Sequence, residues 1–180
     1  MRFEHDLGHG CALALRTPET ARELIPVITA NIDRLRRWEP WAHAFDSDDG
    51  DPDDSWEREQ LRLFTEGLAI PAVIRQDGAA VGAVSARIDR YRGTAELGYW
   101  IDAAHEGRGI VRRACRALIA RLFVDGIARI EIRTAAHNER SVRLADRLGF
   151  HREGTLRRML PVGGARHDVA VFGLLPDDPA

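Results

Sequence analysis

Glu96-Leu97-Gly98-Tyr99-Trp100-Ile101, followed three residues later by His105-Glu106-Gly107-Arg108-Gly109-Ile110-Val111-Arg112, decides the fold. Alternation predicts a strand over Thr94–Ile101. The second segment leads into Arg108–Val124. There Val111, Ala114, Cys115, Leu118, Ile119 and Leu122 share one face while Arg112, Arg113, Arg116 and Arg121 lie elsewhere, which predicts an amphipathic helix. Arg129–Thr134 reads as the next short strand. A strand, a helix and a strand between Glu96 and Thr134 make a right-handed parallel crossover.

Outward from this unit the pattern changes. On the C-terminal side, Glu139–Leu148 reads as a helix ended by Gly149, and Phe150–Val162 and Ala165–Leu174 flank a hairpin turn at Gly163-Gly164. On the N-terminal side, Ala69–Arg75 and Ala79–Ile88 flank Asp77-Gly78, a second hairpin. Cys11–Arg16 alternates like a strand and stops at Thr17-Pro18, a helix cap followed by proline at the first helical position. Ala21, Leu24, Ile25 and Ile28 recur at helical spacing, and a second short helix is expected over Asn31–Trp38, ended by Trp38-Glu39-Pro40-Trp41. Asp46–Asp54 is an acidic loop, and Asp54 with Glu57 resembles a capping box for a helix reaching about Gly67. The expected architecture is mixed α/β (α+β): a mostly antiparallel central sheet with one parallel strand–helix–strand unit, flanked by helices, in one domain over residues 1–180.

Composition narrows the function. The chain has 180 residues, 30% of them charged, with net charge −2. That is an ordinary globular composition without a basic field for nucleic acid. Every cation except histidine is arginine, so a lysine nucleophile or Schiff base is excluded. Cys11 and Cys115 are the only cysteines, and neither shows disulfide or zinc spacing. No metal is expected. The N-terminus lacks a signal-peptide core and no apolar run reaches ~18 residues, so a cytoplasmic protein without a membrane partner is expected.

Gly107-Arg108-Gly109 before a helix has two readings. One is a tight strand-to-helix turn. The other is an anion site, in which glycines let a ligand approach the backbone and the helix start offers unpaired N–H groups. A dinucleotide fold is disfavoured, since a third glycine is missing and the preceding strands belong to hairpins.

Glu96–Ile101, Glu106–Arg112, Ala136-His137-Asn138-Glu139-Arg140-Ser141, Leu148–Gly154, Gly164-Ala165-Arg166-His167-Asp168 and Phe172–Leu175 together resemble successive blocks of the RimJ/RimL-type acetyltransferases of the GNAT superfamily. The resemblance covers roughly residues 10 to 175. It implies a GNAT fold and acetyl-CoA, or another acyl-CoA, as co-substrate. It implies main-chain contacts to the pantetheine arm from Tyr99, Trp100 and Ile101. Pyrophosphate contacts would come from the amides of Gly107, Arg108, Gly109, Ile110, Val111 and Arg112. The chain departs from the family loop at Glu106, where Gln or Arg is usual, and at Val111, where Gly or Ala is usual. Glu106 is expected to point outward.

Acyl transfer to an amine needs a neutral nucleophile, a stabilised oxyanion and a proton for the departing thiolate. The resemblance assigns Ser141 as the proton donor and Asn138 to the cofactor arm; on spacing alone, Asn138 caps a helix and Ser141 sits in its first turn. Glu96 is the candidate base, or else the partner of an arginine. Period two puts Glu96, Gly98 and Trp100 on one face, opposite Leu97, Tyr99 and Ile101. Trp38 and Trp41, with Trp56 behind them, are candidates to line the acceptor cleft, or to pack as ordinary core residues. His167 and Asp168 either bind substrate or fix the hairpin. The expected function is acetyl transfer to a primary amine, most readily a protein N-terminal α-amine, by direct attack in a ternary complex. A small-amine acceptor and a non-catalytic acyl-CoA module are the alternatives. The family resemblance also implies a homodimer.

Overall fold

The computed structural model describes residues 4–45 and 55–178. Its strands are β1 (Glu4–Gly8), β2 (Cys11–Leu15), β3 (Ala69–Gln76), β4 (Ala79–Asp89), β5 (Thr94–Ile101), β6 (Arg129–Ala135), β7 (His151–Val162) and β8 (Ala165–Leu174). They form one sheet in the order β1-β2-β3-β4-β5-β6-β8-β7. Every neighbouring pair is antiparallel except β5 and β6, as the central motif requires. The helices are α1 (Pro18–Arg22), α2 (Ile25–Leu35), α3 (Ser55–Thr65), α4 (Ile110–Val124) and α5 (Glu139–Arg147).

Two expectations at the N-terminal end are corrected. The helix starting at Pro18 breaks at Glu23 and Leu24, because Pro26 has no amide hydrogen and takes a first-turn position of a new helix. The short helix expected over Asn31–Trp38 is the second half of that same helix, which ends at Leu35. Strand β1 was not anticipated. It is an edge strand with largely exposed, polar residues, so burial leaves little alternation to read. Asp54 and the acidic loop lie outside the described residues, and α3 begins at Ser55.

The sheet buries both faces near its centre. On one face α4 lays Ile110, Ala114, Cys115, Leu118 and Leu122 against Ala95, Leu97, Ile130, Ile132 and Phe172. On the other, Leu24, Ile28 and Leu35 pack with Ala42, Val73 and Ala83, and Trp100 rests against this smaller cluster. The two faces of β5 therefore alternate as period two predicts.

Candidate active site

The parallel pairing of β5 with β6 runs from Thr94 and Arg129 only to Leu97 and Ile132. Beyond Leu97, β5 stays zipped to β4 as far as Ile101 and Gly82, whereas β6 continues along β8. Gly98–Ile101 thus have no strand partner on the β6 side. Unpaired main-chain groups in mid-sheet demand another partner, such as water or an extended ligand. Gly82 permits this geometry, since a Cβ there would lie 2.3 Å from the Trp100 carbonyl. The carbonyl of Ile101 is already taken by the Arg34 guanidinium from α2.

One wall of this opening comes from α5. Tyr99 Oη lies 2.7 Å from Ser141 Oγ. Burial pushes the Tyr99 phenol well above its ordinary range, with the Ser141 bond opposing it, so the phenol stays protonated. Asn138 Oδ1 accepts the Ser141 amide at 3.3 Å, which makes Asn138 the helix cap that its spacing allows. The sequence reading had given Tyr99 only a main-chain role. Its side chain could have been found from its place on the same face as Leu97 and Ile101.

Below this wall lies the glycine loop. Gly107 and Gly109 have φ of 73° and 71°, a region that side chains rarely enter. No side chain caps α4, and its first amide bond runs from Arg113 to Gly109 at 3.1 Å. The amides of Ile110, Val111 and Arg112 therefore have no intrahelical acceptor. The side chain of Ile110 is buried in the core, so only its backbone faces the loop. Arg108 and Arg112 are exposed, and among the described residues neither has an acidic partner. Glu106 does not point outward. It bridges Arg34 of α2 and Arg140 of α5, the latter at 2.5 Å, and both guanidinium groups offset its charge.

The opposite wall comes from the segment after α2. Ser85 and Gly98 face each other across β4 and β5, and both are exposed although their strands are central. Beside this bare floor stands Trp100, and Trp41 tilts over it with ring centroids 6.3 Å apart. Trp41 Nε1 donates to Glu39 Oε2 at 2.9 Å. Burial pushes the Glu39 carboxyl above the usual carboxylate range, and the Trp41 bond offsets this in part. Trp38 meets His137 at 5.0 Å, and His137 meets His167 at 4.9 Å, so rings from three separate segments join in one row. Trp56 is engaged elsewhere, under Arg16. Asp168 accepts the Arg158 amide at 2.8 Å and serves the hairpin. Glu39 and His137 were not singled out from sequence. A carboxylate between two tryptophans was the available signal for Glu39.

Glu96 lies on the face of the bare floor, 3.9 Å from Arg133 Nε, with its side chain 38% exposed. Arg133 is held more tightly by Glu131, at 2.9 Å. Cys115 is fully buried and its thiol is pushed up to about 12, and Cys11 is buried as well. Neither offers a ready thiolate. Among the described residues no helix is long and apolar enough to cross a membrane, and no His, Cys, Asp and Glu group has the arrangement of a metal site.

The family profile of the acetyltransferase (GNAT) domain matches residues 12–151. The Bacillus subtilis (strain 168) protein named "Putative ribosomal N-acetyltransferase YdaF" is 33% identical over 180 residues, covering 96% of this chain and 95% of that one. The ribosomal-protein-serine acetyltransferase of Escherichia coli (strain K12) is 33% identical over 119 residues, covering 65% and 66%. The crystal structure of the microcin C7 self immunity acetyltransferase MccE in complex with acetyl-CoA and AMP superposes with a TM-score of 0.85 at 25% identity, covering 94% of each chain.

Proposed function

The chain belongs to the GNAT acetyltransferase family, and on that premise we propose that it transfers an acetyl group from acetyl-CoA to a protein N-terminal α-amine by direct attack in a ternary complex. The observation that carries this reading is the Tyr99–Ser141 pair, 2.7 Å apart at the mouth of the unpaired edge of β5. The pantetheine arm takes that edge as an added strand along Tyr99 and Trp100, and the pyrophosphate takes the amides from Gly107 to Arg112. The thioester then lies beside Ser141. Tyr99 donates to Ser141 Oγ, which leaves the serine hydrogen free for the departing sulfur. Asn138, with its Oδ1 engaged as the cap, offers its Nδ2 to the cofactor arm.

The acceptor enters from the bare floor at Ser85 and Gly98, between Trp38, Trp41 and His167. The resemblance offers Glu96, on that floor and 3.9 Å from Arg133, as a candidate carboxylate for the amine proton. An α-amine with a pKa of ~8 is partly neutral at pH 7, unlike a lysine amine at ~10.4. The names of the two relatives, which refer to ribosomal substrates, support a protein amine over a small one. A homodimer and a cytoplasmic location belong to the same reading.

The test follows CoA thiol release from acetyl-CoA in the presence of N-terminal peptides and, separately, small amines. Peptide-dependent release, reduced ~10²-fold or more in Ser141→Ala, is the expected result. Release with small amines alone would replace the acceptor assignment. Full activity in the variant would remove Ser141 from the chemistry.

A further inference from the structure

Glu39 is costly where it stands. Of the 28 acidic residues in a chain with 26 arginines, it lies in the cleft with no cation paired to it among the described residues. A desolvated carboxylate normally finds such a partner or pays for its isolation. Among the described residues, the hydrogen bond to its side chain comes from a neutral indole, Trp41 Nε1, to Oε2 at 2.9 Å, and Oε1 has no donor. Backbone geometry fixes it there. The amides of Trp38 and Glu39 both return to the Leu35 carbonyl at the end of α2, at 2.9 and 2.8 Å. Glu39 is then extended, at φ −113° and ψ 110°, before the 3₁₀ turn Pro40–His43.

That position borders the reacting space. Trp41, bonded to Glu39, leans on Trp100, and Trp100 stands next to the exposed Gly98. The charge of Glu39 also reaches the phenol of Tyr99, whose oxygen touches Ser141. Glu96, by contrast, lies near Arg133 and adjoins a network in which Arg129, Glu131, Arg133 and Glu153 satisfy one another.

We propose that Glu39, rather than Glu96, is the catalytic residue that binds the acceptor's ammonium group and takes its proton, with the rings of Trp38 and Trp41 walling the site. This rests on the acetyl transfer to an amine proposed above. The first proton passes from the ammonium to Glu39 and on to solvent. The neutral amine then attacks the thioester carbon, the C–N bond forms and the C–S bond breaks. The second nitrogen proton returns through solvent to the Ser141 oxygen as that serine gives its own proton to the thiolate, so the balance is one amide, one CoA thiol and one released proton. Of the other titratable groups, Tyr99 on β5 senses the charge of Glu39, His137 and His167 stack in the row that Trp38 begins, and His43 on the same turn bonds the Arg36 carbonyl. Arg36 and Arg34 of α2 are turned to the Ala42 carbonyl and to Glu106.

The experiment compares Glu39→Gln, Glu39→Asp and Glu96→Gln in the full chain. We expect Glu39→Gln to lower kcat ~10²-fold or more, partial return of activity in Glu39→Asp, and a smaller loss in Glu96→Gln than in Glu39→Gln. The Gln loss should shrink for an acceptor amine that is already neutral at the assay pH, which a merely structural role would not produce. A large loss in Glu96→Gln with Glu39→Gln near wild type would overturn the proposal, as would full activity in both. If the wild-type protein releases no CoA with any amine, the acetyl-transfer reading fails on its own. Tryptophan fluorescence of the acetyl-CoA-loaded protein titrated with N-terminal peptide then still decides. Binding weakened ~10-fold or more in Glu39→Gln alone keeps Glu39 as the amine site, and equal binding removes it.

Discussion

The two walls of the cleft satisfy their polar groups in opposite ways. On the α5 side each group already has a partner: Tyr99 with Ser141, Ser141 with Asn138, Glu106 with Arg34 and Arg140. On the side that follows α2, aromatic rings meet at tilted angles, and among the described residues Glu39 has only an indole donor. The first wall is preorganised before anything binds, which suits groups that must meet charge developing at a fixed sulfur. The second keeps hydrogen-bonding capacity in reserve, which suits a guest that brings its own charge. The first wall is thus fitted to the invariant co-substrate and the second to the acceptor.

The sharpest way to break this comparison is Gly98→Val. A Cβ at Gly98 would meet Ser85 Oγ at 3.2 Å, and the two further methyl groups fill the bare floor. Acceptor turnover should fall ~10²-fold, as misplacing one reactant by about an ångström does, while acetyl-CoA affinity measured by calorimetry stays near wild type. Equal loss of both would assign the floor to the co-substrate and dissolve the division between the walls.

A smaller effect sharpens the α5 wall. Tyr99→Phe keeps the buried ring and removes only the 2.7 Å bond that orients Ser141. We expect kcat to drop ~10-fold, the value of one good hydrogen bond, with the acetyl-CoA KM unmoved. A loss exceeding that of Ser141→Ala would make the phenol itself the proton donor to sulfur.

The walls also differ in how far they were legible beforehand. The glycine loop and the Asn138 cap lie in or next to regular elements whose caps and glycines are local signals, whereas the role of Ser141 and the main-chain role of Tyr99 came from the family resemblance, and the Tyr99 side chain was seen only in the fold. The wall after α2 is assembled by long-range packing. Trp38 meets His137, far away in sequence, and no local pattern announces that. The same limit explains β1, whose polar edge carries little alternation, and the single helix over Ile25–Leu35, where Pro26 moved the expected boundaries. Sequence offered Glu96 either a catalytic role or an arginine partner, and the fold places Arg133 at 3.9 Å. That Glu39 lacks such a partner could be seen only once the chain was folded.

The least dramatic expectation is also independent of any assay of turnover. Burial raises the Glu39 carboxyl above its usual range, so the folded state holds that proton more tightly than the unfolded chain does. Stability contributed by the protonated form is therefore complete below the usual carboxylate pKa and is lost as pH rises through the raised one. At neutral pH the ionised group is a net cost to the fold. Gln keeps an oxygen to accept the Trp41 N–H but carries no charge. Glu39→Gln should therefore raise Tm at pH 7.5, with the gain fading as pH falls toward the usual carboxylate range in differential scanning calorimetry. A variant that is both more stable and less active is the pattern of a charge kept for function at the expense of the fold. A gain independent of pH would locate the effect in packing around Trp41, and no gain would mean that the carboxylate is solvated, which would leave the second wall as well satisfied as the first.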